Sequence, residues 1–353
     1  MPYLFVRPYL TTRGLVPENQ ESPIHFIESG ITSARNHFKR NHFAYPSLAS
    51  FNYWIPIRGN VKTPLWLSLQ QLYALPFITV STLLECAGNK RSLFEPEVFG
   101  EQWGKGAMSQ GNWQGVQLRT LLTMAGIQEG SVEVVVEGYD KGKRANSDEP
   151  VSYKRSLPLE KAMHTDTLIA YAYNDKPIPF RHGFPLRLIV PGWYGMASVK
   201  WIKQIEVSDK HYRGPFQAED YVYYPEKDSD KGSFPVRVIN VNSSILRPTD
   251  RDLLSRGTHV IEGIAWSGSD EIVKVEISVD NGVSWTEADL NHVGEGNYHW
   301  KRWFYEWEVS KPGEYTILSK STDESGQVQP TKSFWNRKGY GYNAVDKINV
   351  KIE

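Results

Sequence analysis

The sequence predicts an α+β chain in which a mixed α/β domain is followed by an all-β sandwich of immunoglobulin type. Two observations carry this reading. Up to about residue 210 helical and strand signals alternate, whereas beyond residue 240 only strand alternation punctuated by turn residues remains. With one cysteine in 353 residues, the sandwich has no disulfide to pin it, so its core must rest on aromatic packing.

Taken in order, Ser68-Leu69-Gln70-Gln71 has the form of a capping box, and Leu69, Leu72 and Tyr73 follow at helical spacing. Leu118, Leu121, Leu122 and Ala125 repeat at i, i+3, i+4 and i+7, with Gly126 where a C-cap belongs. Val132 to Val136 and Leu186 to Val190 read as buried strands. Residues 208–235, rich in Tyr, Pro and charge, read as an ordered linker. In the second half Val273, Val275, Ile277 and Val279 alternate with polar residues, Asp280-Asn281-Gly282 makes a hairpin turn, and Val283-Ser284-Trp285 begins the return strand. Trp303, Tyr305, Trp307 and Val309 alternate again, and Pro312-Gly313 turns the chain into Tyr315-Thr316-Ile317-Leu318. The expected organisation is an N-terminal segment 1–34, a first domain 35–207, the linker 208–235 and a β domain 236–353.

The balance of 40 basic and 40 acidic residues implies no polyanion-binding surface, so no nucleic-acid partner is expected. No run approaches the roughly 20 apolar residues that span a bilayer. Met1 to Leu10 carries an arginine and two prolines where a signal peptide needs an uninterrupted apolar core, and there is no twin-arginine pair. A cytoplasmic chain is expected, or a periplasmic one if a leader has been removed; the final Lys351-Ile352-Glu353 is no peroxisomal signal.

Cys86 sits in Leu84-Glu85-Cys86-Ala87-Gly88-Asn89-Lys90-Arg91. A thiol beside a Gly-Asn turn and two cations is expected to have a lowered pKa, as a nucleophile or a soft metal ligand; the alternative is a small buried hydrophobe. A lone cysteine excludes a four-thiolate iron–sulfur cluster and a Cys-x-x-Cys-His haem attachment. His182, Arg187 and Lys200 lie around the ends of one strand and can converge on a single anion, phosphate being the obvious one; the alternative is three separate surface charges.

Together, Cys86-Ala87-Gly88-Asn89-Lys90-Arg91, His182-Gly183-Phe184-Pro185-Leu186-Arg187 and Val199-Lys200-Trp201 resemble the sulfite oxidase family of molybdenum-cofactor enzymes. The likeness continues through Asn112-Trp113-Gln114-Gly115-Val116 and Arg155-Ser156-Leu157-Pro158-Leu159. It reaches the second domain at Gly263-Ile264-Ala265-Trp266-Ser267-Gly268, Asp280-Asn281-Gly282 and Trp335-Asn336.

The resemblance implies a sulfite-oxidase-type molybdopterin-binding domain with Cys86 as the molybdenum ligand. It also implies that His182, Arg187 and Lys200 hold the pterin and its phosphate, with Asn41, His42 and Arg91 in support, and that the second domain dimerises the protein. Arg40 matches the family's pocket arginine, with Arg35-Asn36-His37 a competing register, and Tyr221 falls where the family keeps a tyrosine hydroxyl beside the metal; its alternative is a packing role in the linker. Two positions depart from the family pattern. The basic residue after Trp-Asn is represented by Arg337 and Lys338, either of which could face the substrate, and an aromatic expected before the cysteine is Leu83.

The implied reaction is oxygen-atom transfer to a small oxyanion such as sulfite. The sequence given carries no haem and no flavin module, so electrons are expected to pass to an external one-electron acceptor such as a soluble cytochrome. Reduction of nitrate, sulfoxides or another oxide on the same scaffold is the alternative within the class, and a non-catalytic binding protein with a degenerate site is the alternative outside it. Trp300, Trp303 and Trp307 would suit either a dimer interface or a dense core.

Overall fold

The computed structural model describes residues 9–26, 30–48, 53–144, 147–291 and 298–353. Residues 1–8 of the N-terminal run, in which no export signal is expected, lie outside the described residues. The described residues are strand-rich, and the three α-helices among them are short.

A small hairpin of β1 (Thr11–Gly14) and β2 (Asn19–Glu21) precedes two five-stranded sheets. The first half supplies β3 (Trp54–Gly59), β4 (Leu65–Ser68), β5 (Ile78–Glu85), β6 (Met108–Gln117), β7 (Glu133–Arg144), β8 (Ser147–Pro158), β9 (Leu168–Tyr173), β10 (Lys176–Pro177), β11 (Arg187–Ile189) and β12 (Ile202–Ser208). One sheet runs β10-β9-β6-β5 with β11 also on β9, and the other runs β4-β3-β12-β7-β8. The pairings are antiparallel except β12 on β3, which is parallel.

Local chemistry explains the helices. Helix α1 (Leu69–Tyr73) starts on the expected capping box: Gln71 N donates to the Ser68 hydroxyl at 3.2 Å and Ser68 N donates to the Gln71 side chain at 2.9 Å. Helix α2 (Leu118–Ala125) buries Leu118, Leu121, Leu122 and Ala125, as the spacing requires, and closes on Gly126 at φ 69°, where a side chain would be strained. With α3 (Leu159–Ala162), these are all of the described α-helices, so the expectation of regularly alternating helices and strands overstated the helical part. Each is a turn or two, stabilised by its packed face and caps rather than by length.

After β13 (Val222–Tyr223) and β14 (Phe234–Pro235), the second half folds into two further sheets. Its strands are β15 (Asn242–Arg247), β16 (Leu253–Leu254), β17 (Gly257–Trp266), β18 (Ile272–Ser278), β19 (Thr286–Glu287), β20 (Asp289–Asn291), β21 (Lys301–Val309), β22 (Gly313–Asp323) and β23 (Asp346–Ile352). The orders are β15-β17-β21-β20 and β16-β23-β22-β18-β19, and side chains from both sheets share one core that includes Ile261, Val275, Trp303, Trp307, Ile317 and Val350.

Two details of the expected hairpin differ. Val273 is half exposed because the register slips between Ile272 and Lys274. The return strand begins at Thr286 rather than Val283, because the Asp280 carboxylate accepts from Ser284 N at 2.9 Å and holds the chain in the turn through Asn281 (φ 60°) and Gly282 (φ 89°). Trp300, Trp303 and Trp307 are all buried within one chain, which resolves them as core rather than interface. Trp266 and Trp300 pack into the large core of the first half, so the two halves share apolar contacts.

Candidate functional site

Cys86 follows the last residue of β5 and sits under a small core of Phe38, Trp103, Trp113 and Tyr173. Its N–H donates to Ala107 O at 2.8 Å, and the turn closes with Asn89 N donating to Cys86 O at 2.8 Å. The sulfur-bearing residue lines a cavity whose walls it shares with His182, Arg187 and Lys200.

Several elements converge there. The segment after β2 brings Arg40, Asn41 and His42; β7 and β8 bring Asp140 and Tyr153; the 3-10 turn Phe180–His182 brings His182. Arg187 opens β11, Lys200 precedes β12, and the π-helical turn Phe216–Asp220 delivers Tyr221. Gly183, at φ 116°, lies where an added Cβ would come within 3.1 Å of the Lys200 side chain, so the His182 turn and Lys200 meet only because that residue is glycine.

Positive charge dominates the walls. The Arg187 guanidinium, 5% exposed, donates to His182 O at 3.1 Å and lies 5.2 Å from the Trp113 ring, while its Nε has no partner. Burial pushes its pKa down to about 9. Lys200 donates to Arg40 O at 3.1 Å and to the Asn41 side-chain oxygen, and burial followed by repulsion from Arg187 lowers its pKa. The one carboxylate in the wall, Asp140, is raised by burial despite Lys200, and its Oδ1 has no partner. Among the described residues no ion pair reaches Arg40, Arg187 or Lys200 within 4.0 Å. Such an excess of desolvated cations costs free energy unless an anion enters.

One face of the cavity is a directed hydrogen-bond chain. Arg40 lies 3.3 Å from His42 Nδ1, and a guanidinium can only donate, so Nδ1 is the acceptor and Nε2 carries the proton. That proton is donated to the Tyr221 oxygen at 2.7 Å. Burial, then Arg40, keeps His42 well below the ordinary histidine pKa, so the ring is neutral as the tautomer argument needs. Tyr221 itself is buried, stacks on Tyr340 at 5.4 Å and has the Arg155 guanidinium 5.3 Å from its ring centre.

The expected site residues divide. Arg40, Asn41, His42, Cys86, His182, Arg187, Lys200 and Tyr221 line this cavity; Arg91, Arg337 and Lys338 do not. Arg91 turns away to donate to Lys338 O at 3.1 Å, Gly339 O at 3.2 Å and Glu101 O at 3.0 Å. Arg337 covers the Tyr224 ring at 4.0 Å and pairs with Asp230, while Lys338 donates to Glu219 O at 2.6 Å beside the turn that carries Tyr221. Of the two competing registers, Arg40 reaches the cavity and Arg35 is exposed.

The lowered thiol pKa expected for Cys86 is not found. Burial raises it and outweighs the opposing effect of Arg40 and Arg91, because Lys90 and Arg91 direct their charges away from the sulfur. Sequence reasoning also passed over Asp140, Tyr153 and His37. Asp140 lies within a twelve-residue strand with no motif around it to mark a site, and His37 stood only in the competing register.

A polar ligand fits these walls. Arg187 Nε, His37 Nε2 and Asp140 Oδ1 are buried and lack partners, and His37 Nδ1 is committed to Phe38 O at 2.9 Å. A heterocycle with ring donors and acceptors and a phosphate would satisfy them. Among the described residues no three His, Cys, Asp or Glu side chains gather to hold a metal, so a metal at Cys86 would draw its other ligands from that bound group.

Fold and site define an oxidoreductase of the molybdopterin-binding class. Residues 42–216 match the oxidoreductase molybdopterin binding domain, and residues 233–353 match the Mo-co oxidoreductase dimerisation domain. The chain is 33% identical over 367 aligned residues to the mitochondrial sulfite oxidase of Rattus norvegicus, covering 98% of this chain and 66% of that protein. It is 31% identical to the NADH nitrate reductase of Volvox carteri, covering 97% of this chain and 43% of that one. The crystal structure of the sulfane dehydrogenase SoxCD from Paracoccus pantotrophus superposes with a TM-score of 0.84 at 27% identity, covering 98% of this chain and 90% of that one. The chain belongs to the sulfite oxidase family, whose cofactor is the molybdenum-bearing pterin. It spans about two thirds of the length of the mitochondrial sulfite oxidase it matches. Among the described residues no helix is long and apolar enough to cross a membrane.

Proposed function

We propose that this chain oxidises sulfite to sulfate with a molybdenum cofactor bound at Cys86, passing electrons singly to an external acceptor such as a soluble cytochrome. The observation that carries the reading is the cation-lined cavity with one cysteine in its wall and with buried, unpartnered polar atoms on three of its lining residues, Arg187, His37 and Asp140. The overall change balances as sulfite plus water giving sulfate, two protons and two electrons. The bound cofactor would supply the two-electron centre for oxygen-atom transfer.

The chain's own residues supply the rest. Cys86 would ligate the metal, and His182, Arg187 and Lys200 would hold the pterin and its phosphate with Asn41 in support. Arg40 neutralises a dianionic substrate and orients His42. Because His42 fills the Tyr221 oxygen's acceptor site, the tyrosine O–H is free to point at the reacting oxygen and to hold or pass a proton there. The turn from Phe216 to Asp220 belongs to the connecting segment 208–235, which is therefore a working part of the site in this reading. The domain boundaries at 207 and 236 and an immunoglobulin-like character for the second unit belong to the same proposal. So does a homodimer formed through residues 233–353, with its contacts made by residues other than the buried tryptophans.

The test is anaerobic addition of sulfite to purified molybdenum-loaded protein, followed by electron paramagnetic resonance. A Mo(V) signal after partial reoxidation is expected. A loaded protein that sulfite leaves fully oxidised, and that nitrate or a sulfoxide instead reoxidises from its reduced form, would overturn the substrate assignment.

A further inference from the structure

The loop that carries Cys86 sends its charged side chains not toward the cavity but into the second half of the chain. Lys90 has no exposure at all and a left-handed backbone at φ 61°. Its ammonium donates to Asn242 Oδ1 at 2.8 Å and Ser243 O at 2.7 Å, lies 3.9 Å from Asp346 and sits 5.2 Å from the Trp266 ring. On the other side of the cysteine, Glu85 accepts from Trp266 Nε1 at 2.9 Å and from Asn89 Nδ2 at 2.9 Å. Gly341 N donates to Ala87 O at 2.8 Å.

A lysine ammonium is strongly hydrated, and burying one with no solvent contact is tolerated only when fixed acceptors replace that water. Here every acceptor of the Lys90 ammonium comes from the start of β15 and, at longer range, from β23. The strained backbone at Lys90 persists for the same reason, since surrounding contacts over-determine it. Residues 85 and 90 thus anchor both ends of the Cys86 turn to the second half, while Cys86 and Ala87 alone of this turn face the cavity.

We propose that the second half of the chain is part of the thiolate-holding machinery, with Lys90 and Trp266 as positioning residues that fix where the Cys86 sulfur points. This rests on the reading of Cys86 as the metal ligand. It assigns the C-terminal unit a role at the site in addition to any part in dimerisation.

Cys86 is the sole cysteine, so a thiol-reactive maleimide reports its exposure in the full-length, cofactor-free protein without interference. Lys90→Met removes the charged anchor, and Trp266→Phe removes the indole donor and some bulk while keeping an aromatic ring. Ile317→Val, in the core of the second half, serves as a control matched for loss of melting temperature. The clamp predicts that both site variants raise the maleimide labelling rate about tenfold over that control, through local opening of the turn. In loaded protein it predicts a shifted Mo(V) signal and a lower kcat at unchanged KM. Should Lys90→Met fail to fold, Trp266→Phe decides alone. Labelling rates and spectra no different from the Ile317→Val control overturn the proposal. Cys86→Ala separates the two readings: if it keeps molybdenum with an unaltered signal, the metal-ligand assignment falls, whereas the labelling result still measures the clamp.

Discussion

His42 donates from Nε2 to the Tyr221 oxygen across 2.7 Å, linking a residue early in the first domain to one that follows it by 179 positions. Because Arg40 fixes the opposite ring nitrogen as acceptor, the tyrosine hydroxyl is left with its proton directed elsewhere, and the cavity is the open direction. Tyr221→Phe removes that donor, and kcat for sulfite should fall about a hundredfold with KM little changed. His42→Gln can still offer an N–H, so steady-state kinetics should find it less damaged than His42→Leu. Equal losses in the two His42 variants would sink the directed-chain reading.

Arg187 is buried beside Trp113 with no ion-pair partner among the described residues. In cofactor-free protein its charge is a liability, so Arg187→Met should stabilise that form by about 1–3 kcal/mol, as removing poorly compensated buried charge does elsewhere. In the same variant the molybdenum retained through purification should drop, since the anion it meets would lose its counter-charge. Denaturant unfolding and metal analysis measure the two halves of this prediction separately. A variant that is less stable and still fully loaded would mean Arg187 serves the fold rather than the cofactor.

What the sequence disclosed depended on how local the signal was. The capping box at Ser68 and the glycine stop at Gly126 are set within a few residues, and both stand in the structure. The motif residues around Cys86, His182 and Arg187 also meet at one cavity. Orientation was not legible: Arg91 lies five residues from Cys86, yet its guanidinium is held by carbonyls of Lys338 and Gly339, which are nearly 250 positions away in sequence. The pKa of Cys86 failed for the same cause, since proximity in sequence says nothing about burial or about which way a cation points. Asp140 was hidden because it lies in a twelve-residue strand with no motif around it to mark a site.

Arg337 and Lys338 are adjacent but separable. Lys338 grips the turn that carries Tyr221, through Glu219 O and at 3.6 Å through Asp220, and Arg144 holds the same turn at 3.0 Å from Glu219 and 2.9 Å from Asp220. Arg337 engages Asp230 and the Tyr224 ring. Lys338→Met and Arg144→Met should each lower kcat several-fold by loosening the turn, an effect of about 1 kcal/mol. Arg337→Ala should leave kcat within about twofold, corresponding to less than about 0.5 kcal/mol. A large rise in KM for Arg337→Ala would instead place its side chain over bound substrate.

His37 gives a pH signature that can be isolated. Its ring is buried, donates from Nδ1 to Phe38 O at 2.9 Å, and has its pKa pushed down to about 3 by burial and then by Arg187. The unfolded chain has an ordinary histidine here, with a pKa near 6.5. Below that value the unfolded state binds a proton that the folded state refuses, so stability from this residue is intact above about pH 6.5 and is lost as pH falls toward 3. Glu85, raised to about 7, and Asp140, also raised, work in the opposite sense because their folded forms take up protons first, so the overall stability curve masks the effect. The difference between wild type and His37→Gln removes those shared contributions. Between pH 6 and 5 that difference should move by roughly 1 kcal/mol in favour of the variant, with little change between pH 7 and 8. Urea unfolding of the cofactor-free pair at those four pH values measures it, and parallel curves would show that His37 titrates alike in the folded and unfolded chain.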